Sequence, residues 1–308
     1  MTDDIAAART AIAKLGFFAS ADPARIQIRR LGGLTNLVFR VDYDGAAYCM
    51  RLPGKGTEEY IDRKIEAHAA KAAAMAKVSP ELLWFSDDGA MITRYLDGTR
   101  TMTPTLFKST AGAPLRAGKV FKQLHTSGQT FNFRFELFKM IDEYLKVLST
   151  KEVEFPEGYH DVLKEAETVR AALNARPVPL APCHCDPLCE NFLDTGERMW
   201  LVDWEYSGMN DPMWDLGDLS VEAGFDVVQE EEMLLGYFGA EPSKTERGRM
   251  VIYKAMCDLL WTLWGLIQHA NKNPVDDFWA YSVNRFERCK KLMGGAGFQA
   301  HVAAVKAR

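Results

Sequence analysis

The chain has 308 residues, 47% of them hydrophobic and 26% charged, which suits a globular protein with one large core or two modest ones. Its net charge is −5 and its 37 Lys and Arg residues are scattered, so it carries no basic footprint for nucleic acid or an anionic membrane. The opening MTDDIAAARTAIAK holds two acidic residues, and the most apolar segment, LLWTLWGLI, is bounded by Asp258 and His269; neither reads as a leader peptide or a membrane span.

Residues 3–15 have helical periodicity and predict an N-terminal helix. Three strand-like runs follow, IQIRRL (26–31), LVFRVDY (37–43) and AAYCMRL (46–52), and Asp44-Gly45 marks a tight hairpin between the last two. From Thr57 to about Lys77 the chain is rich in Ala, Glu and Lys without Pro or Gly, which predicts one long helix ended by Ser79-Pro80. LLWF and AMITRYL flank an Asp-Asp-Gly turn and complete a five-stranded antiparallel sheet with one helix. The polar stretch LDGTRTMTP then sets a lobe boundary near residue 97, so that 1–97 is β-rich and 98–308 mainly helical. Within the helical part, residues 179–203 read as strand, loop and hairpin (VPLAPC, NFLDTGE, RMWLVDW), and a β element in such a place suggests a site. The fold class is therefore α+β, with two lobes.

Six cysteines, at 49, 183, 185, 189, 257 and 289, form no repeated CxxC pair and read as reduced thiols in a cytoplasm. CHCDPLC (183–189) raises a zinc site, but no second ligand cluster with suitable spacing exists to complete it.

The strongest chemical signal is HCDPLCEN (184–191) followed by DWEY from Asp203. A loop HxDxxxxN with a further Asp after the next hairpin is the pattern by which protein kinases supply a base and two magnesium ligands. Asp186 is the candidate base, and Asn191 and Asp203 are candidate Mg²⁺ ligands, since carboxylate and amide oxygens are hard donors. Each alone would read as a turn former or strand end. In LGGLTN (31–36), Gly32, Gly33, Thr35 and Asn36 join two strands, and paired glycines let backbone N–H groups approach phosphate oxygens. No GxxxxGK[ST] loop occurs. Arg51, on the third strand, offers a charged fork to the same oxygens, with Glu66 as its candidate ion-pair partner and Glu58, Glu59 and Asp62 as competitors.

Taken together, LGGLTN, YCMRLPG, HCDPLCEN, DWEYSGMNDPMWDLG and LLWTLWGLIQ resemble the choline/ethanolamine kinase family, within the aminoglycoside phosphotransferase group of kinase-like folds, over about residues 25–290. The resemblance implies a bilobal protein-kinase-like fold with an ATP-binding β lobe, a helical acceptor lobe, ATP and Mg²⁺, and phosphorylation of an amino alcohol. Arg51 stands where protein kinases carry Lys, and Pro187 and Cys189 vary positions between the anchors. AGFDVV, after Glu222, lacks the aromatic residues that animal choline kinases place there, which leaves one pocket wall unassigned. On the acceptor side, Trp261 and Trp264 are three apart on a helix and Tyr281 follows on the next; their ring faces suit a quaternary ammonium, although a Trp pair on an apolar helix also reads as core. Glu205, Tyr206 and Glu222 are further acceptor candidates, and Asp215 reads as a brace for the catalytic loop. The expectation is a cytoplasmic kinase making phosphocholine, with ethanolamine, thiamine or an aminoglycoside as alternative acceptors and a catalytically inactive choline-sensing module as the alternative of another class. The expected partner is a small amino alcohol, without nucleic acid or membrane insertion, and a homodimer is left open.

Overall fold

The structure is a computed structural model describing residues 2–32, 36–54 and 61–307. Strands β1 (Gln27–Gly32), β2 (Leu37–Tyr43), β3 (Ala46–Leu52), β4 (Leu82–Phe85) and β5 (Met91–Arg94) lie antiparallel in the order β1-β2-β3-β5-β4. Asp44 and Gly45 both take positive φ, 53° and 78°, the left-handed pair that a two-residue hairpin turn needs. Phe39, Val41, Met50 and Ile92 bury one face of this sheet against helix α1 (Thr2–Ile12), through Ala8 and Ile12. Because Met50 faces that core, the pleat turns Arg51 to the opposite face, toward the cleft.

Helix α2 (Arg63–Met75) starts later than the composition predicts. Asp62 is extended, and its carboxylate accepts the backbone N–H groups of Lys64 and Ile65, so it caps the helix instead of joining it. Thr57–Tyr60, including Glu58 and Glu59, lie outside the described residues, as do Gly33 and Thr35. The alanine face of α2 (Ala69, Ala70, Ala73) joins the large core of the second lobe and not the core under α1.

The second lobe contains α3 (Pro104–Ser109), α4 (Ala113–His125), α5 (Leu137–Leu148), α6 (Tyr159–Ala175), α7 (Met213–Glu222), α8 (Val227–Phe238), α9 (Lys244–Ala270), α10 (Phe278–Met293) and α11 (Phe298–Lys306). Four short strands, β7 (Ala181–Cys183), β8 (Phe192–Asp194), β9 (Met199–Leu201) and β10 (Gly208–Asn210), carry the candidate residues Asp186, Asn191 and Asp203 among them. β8 pairs with β9 and also with β6 (Arg100–Thr101), which lies inside the polar linker, while β10 pairs with β7. α9 is long and apolar enough to cross a membrane, yet 78% of its apolar window is buried within the protein. α4 and α8 approach so closely that a Cβ on Gly118 would lie 2.0 Å from Met233 O, and this closeness carries Tyr237 to His125. Between the lobes, Leu201 N–H donates to Val78 O at 2.7 Å and the Trp204 indole N–H donates to Ser79 Oγ at 3.1 Å.

Candidate active site

β7 ends at Cys183, and the loop that follows is pinned from below. Asp215, fully buried on α7, accepts the backbone N–H of His184 (2.8 Å) and of Cys185 (2.9 Å). Cys185 is left-handed, with φ 67°, a conformation that a β-carbon disfavours and that these bonds hold in place. Asp215 in turn meets His125 Nε2 at 2.9 Å, and His125 Nδ1 lies 3.1 Å from the Tyr237 hydroxyl. The Trp214 indole donates to Cys185 O, and His184 Nε2 is 2.9 Å from Val202 O. His125, Cys183 and Asp215 converge closely enough for a metal, but His125 and Asp215 are bonded to each other, and the thiols of Cys183, Cys185 and Cys189 are buried and free.

Asp186 emerges from this loop half-buried, its carboxyl pushed up to about 7 by burial and then by the nearby Glu222. Asn191 Nδ2 donates to Asp186 O at 3.0 Å, and Val202 N–H donates to Asn191 O at 3.0 Å, which puts Asn191 across the hairpin from the segment leading into Asp203. Asp203 is left-handed (φ 70°), and burial, then Glu205, push its carboxyl well above the usual range. Its Oδ1 is buried and accepts no hydrogen bond from the described residues; Arg51 Nη1 stands 3.6 Å away. A buried oxygen with no donor, beside an Asn that keeps its amide oxygen uncommitted by that bond, fits a hard divalent cation.

The side of the cleft facing the first sheet is ionic. Arg51 pairs with Glu66 through Nη1, donates through Nη2 to Gly89 O at 2.7 Å, and brings Nη1 to 3.5 Å from Glu205. Arg63 Nη1 sits 2.7 Å from Glu66 Oε2 and 2.7 Å from Glu205 Oε1. Asn36 Nδ2 donates to Glu205 at 3.1 Å while its Oδ1 accepts Gly54 N–H at 3.2 Å. Glu205 thus departs from its expected place beside the acceptor: Arg63, Arg51 and Asn36 take up its carboxylate on the sheet side. Asp62 is occupied as a helix cap. Gly32 closes β1 with open space where a side chain would be.

The opposite side is aromatic. Tyr206, next to Glu205, turns the other way: its ring meets Trp261 edge-on at 5.5 Å and its hydroxyl accepts the Trp264 indole N–H at 3.1 Å. Trp264 also packs edge-on against Phe278 (5.5 Å) and Tyr281 (5.8 Å). Trp261 is 4% exposed and points its indole N–H at Asp218 Oδ2, 3.4 Å away, so it serves the core as well as this cluster. Glu222 lies 2.5 Å from Arg285 Nη1, whose guanidinium also covers the Tyr281 ring and reaches Asp258. Phe225 turns inward against Phe107, and Val227 and Val228 are exposed, so no aromatic wall forms after Glu222.

Arg63, Asp218, Phe278 and Arg285 were not among the expected residues. The signals were present: Asp218 precedes Glu222 by four on one helix face, Asp258 interrupts an apolar run and demands a buried cation, and Arg285 and Arg288 share a face three apart.

The family model described as Choline/ethanolamine kinase matches residues 28–238. The chain is similar to a crystal structure of a choline/ethanolamine kinase family protein from Mesorhizobium loti, with 59% identity, TM-score 0.90, and 98% of this chain and 99% of that one covered. It is similar to the choline kinase LicA from Streptococcus pneumoniae at 26% identity and TM-score 0.76, covering 92% of this chain and 98% of the other. A probable ethanolamine kinase of Arabidopsis thaliana is 24% identical, with 88% of this chain and 80% of that one covered.

Proposed function

Since the chain belongs to the choline/ethanolamine kinase family, we propose that it transfers the γ-phosphoryl group of ATP to the hydroxyl of choline. The observation that carries the choice of acceptor is the group Tyr206, Trp261, Trp264, Phe278 and Tyr281 standing beside Asp186, Asp218 and Glu222, because ring faces and a surplus of carboxylate suit an alkylammonium. Asp186 accepts the hydroxyl proton as the alcohol oxygen bonds to the γ-phosphorus and the bond to the β-bridging oxygen breaks, releasing ADP. Asn191 and Asp203 would hold Mg²⁺, which supplies neutralisation of phosphate charge. Arg51 binds phosphate oxygens from the sheet side, and the Asp215–His125–Tyr237 chain keeps the loop under Asp186 rigid. The free cysteines agree with a reducing cytoplasm.

A second acceptor reading, ethanolamine, is favoured by one observation. Asp218 Oδ1 is buried without a hydrogen-bond donor among the described residues, and a primary ammonium could supply one where choline cannot. Mg²⁺-dependent ADP release measured with choline, ethanolamine, thiamine and an aminoglycoside separates the readings. We expect choline to have the highest kcat/KM; a higher value for ethanolamine favours the second reading, and no stimulation by any amino alcohol rejects both.

A further inference from the structure

Two arginines meet one buried glutamate in the cleft, and phosphate binding by Arg51 leaves the second, Arg63, without an assigned purpose. Its position is a costly one for a cation. Arg63 is the first residue of α2, directly after the Asp62 cap, where the helix dipole disfavours positive charge. The side chain is nevertheless 9% exposed and inward-facing, with one nitrogen 2.7 Å from both Glu66 Oε2 and Glu205 Oε1. The turn between β4 and β5 seats it there: a Cβ on Gly89 would lie 2.6 Å from Arg63 Cδ and Nε, and the carbonyl of the same Gly89 anchors Arg51.

The two arginines divide the carboxylates. Arg51 takes Glu66 Oε1 and approaches Glu205 and Asp203, while Arg63 takes Glu66 Oε2 and Glu205 Oε1. The Glu66 and Glu205 side chains are 1% and 7% exposed, so without Arg63 a swing of Arg51 toward a polyphosphate would leave them as buried charges with no cationic partner. Resting on the assignment of Arg51 as the phosphate contact, we propose that Arg63 is a positioning residue that keeps Glu66 and Glu205 paired when Arg51 turns to the nucleotide. It thereby lowers the cost of that turn, and it ties the start of α2 to the loop carrying Asp203.

The test is ADP binding by isothermal titration calorimetry for Arg51→Gln, Arg63→Gln, Arg63→Lys and the double variant, with nucleotide-free melting temperature and acceptor KM measured alongside. Arg63→Gln is expected to weaken ADP about tenfold, Arg63→Lys to recover most of that, and acceptor KM to stay within about twofold. Because Arg63 acts through Arg51, the double variant should bind ADP only about as weakly as Arg51→Gln alone. A lower melting temperature with ADP affinity intact in Arg63→Gln overturns the proposal and leaves Arg63 a structural residue. Losses that simply add in the double variant overturn it as well. If Arg51→Gln itself leaves ADP binding unchanged, the assignment of Arg51 fails, and Arg63 falls with it. Should Arg63→Gln not fold, Glu205→Gln decides: it removes one carboxylate that Arg63 holds, and an unchanged ADP affinity there rejects the idea.

Discussion

The two sides of the cleft carry the same sign of surplus charge and answer it with different chemistry. Toward the sheet, Glu66, Asp203 and Glu205 face Arg51 and Arg63; toward α9 and α10, Asp186, Asp218 and Glu222 face Arg285, which Asp258 also claims. On the sheet side the carboxylates sit among guanidinium groups and an amide, a polar setting in which residual negative charge suits a small hard cation bound with phosphate. On the far side, aromatic rings stand among them, and the same residual charge suits a large, weakly hydrated ammonium. In the proposed reaction each half selects its ligand by what surrounds the carboxylates, and DWEY divides between them, Glu205 to one side and Tyr206 to the other.

The sharpest way to break this division is at its border. Asp186→Asn should retain fold and ADP binding while turnover falls by about 10²–10⁴-fold, because the hydroxyl loses its proton acceptor and the isosteric amide keeps the shape. Turnover above about a tenth of the parent would take Asp186 out of the base role. Asp203→Asn should act only on the sheet side. The Mg²⁺ needed for half-maximal rate should rise about a hundredfold, the upper end of what loss of even an outer-shell metal partner costs. An unaltered Mg²⁺ titration would assign the metal elsewhere, with acceptor KM as the internal control.

How much of this was legible depended on distance along the chain. β2 and β3 occupy the residues that their strand-like runs and the Asp44-Gly45 turn between them predict. β6 and β10, of two and three residues, are too short to show such a run, and β6 sits where polar composition suggests only linker. Propensity alone predicts α2 from Thr57, because composition does not show that Asp62 forms a helix cap. The order of Asp186, Asn191 and Asp203 is local and shows in spacing alone. That Glu205 pairs on the sheet side is not legible, because its partner Arg63 lies 142 positions away and no pattern within either segment records that pairing. Likewise, nothing in the segment around Glu222 records that Arg285 from α10 takes up its carboxylate.

The aromatic side is tested next by Trp264→Ala. Choline KM should rise about thirtyfold, since a desolvated cation–π contact contributes roughly 2 kcal/mol, while ATP KM stays put. A rise in ATP KM of similar size would mean that the two halves are not separable in the way the charges suggest. Trp264→Phe controls for lost packing, because removing a large ring costs on the order of 3–5 kcal/mol of stability and would reduce folded protein. Unchanged choline KM in both folded variants would make Trp264 a core residue.

The smallest expected effect asks whether the rings are held in place or merely collected. Trp264 donates its indole N–H to the Tyr206 hydroxyl at 3.1 Å, and the Tyr206 ring separately packs edge-on against Trp261 at 5.5 Å. Tyr206→Phe removes the first contact and keeps the second. A hydrogen bond of this kind contributes about 1 kcal/mol net, so if it sets the angle that Trp264 presents to the ammonium, choline KM should rise about fivefold. The melting temperature should drop by only a few degrees, because the ring still fills its space. ATP KM should not move, and this separates Tyr206 from Glu205 one residue before it: Glu205→Gln, which disturbs Arg63 and Asn36, should do the reverse. If Tyr206→Phe leaves choline KM unchanged, Trp264 is oriented by Phe278 and Tyr281 alone, and the acceptor side is sustained by packing without any directional bond.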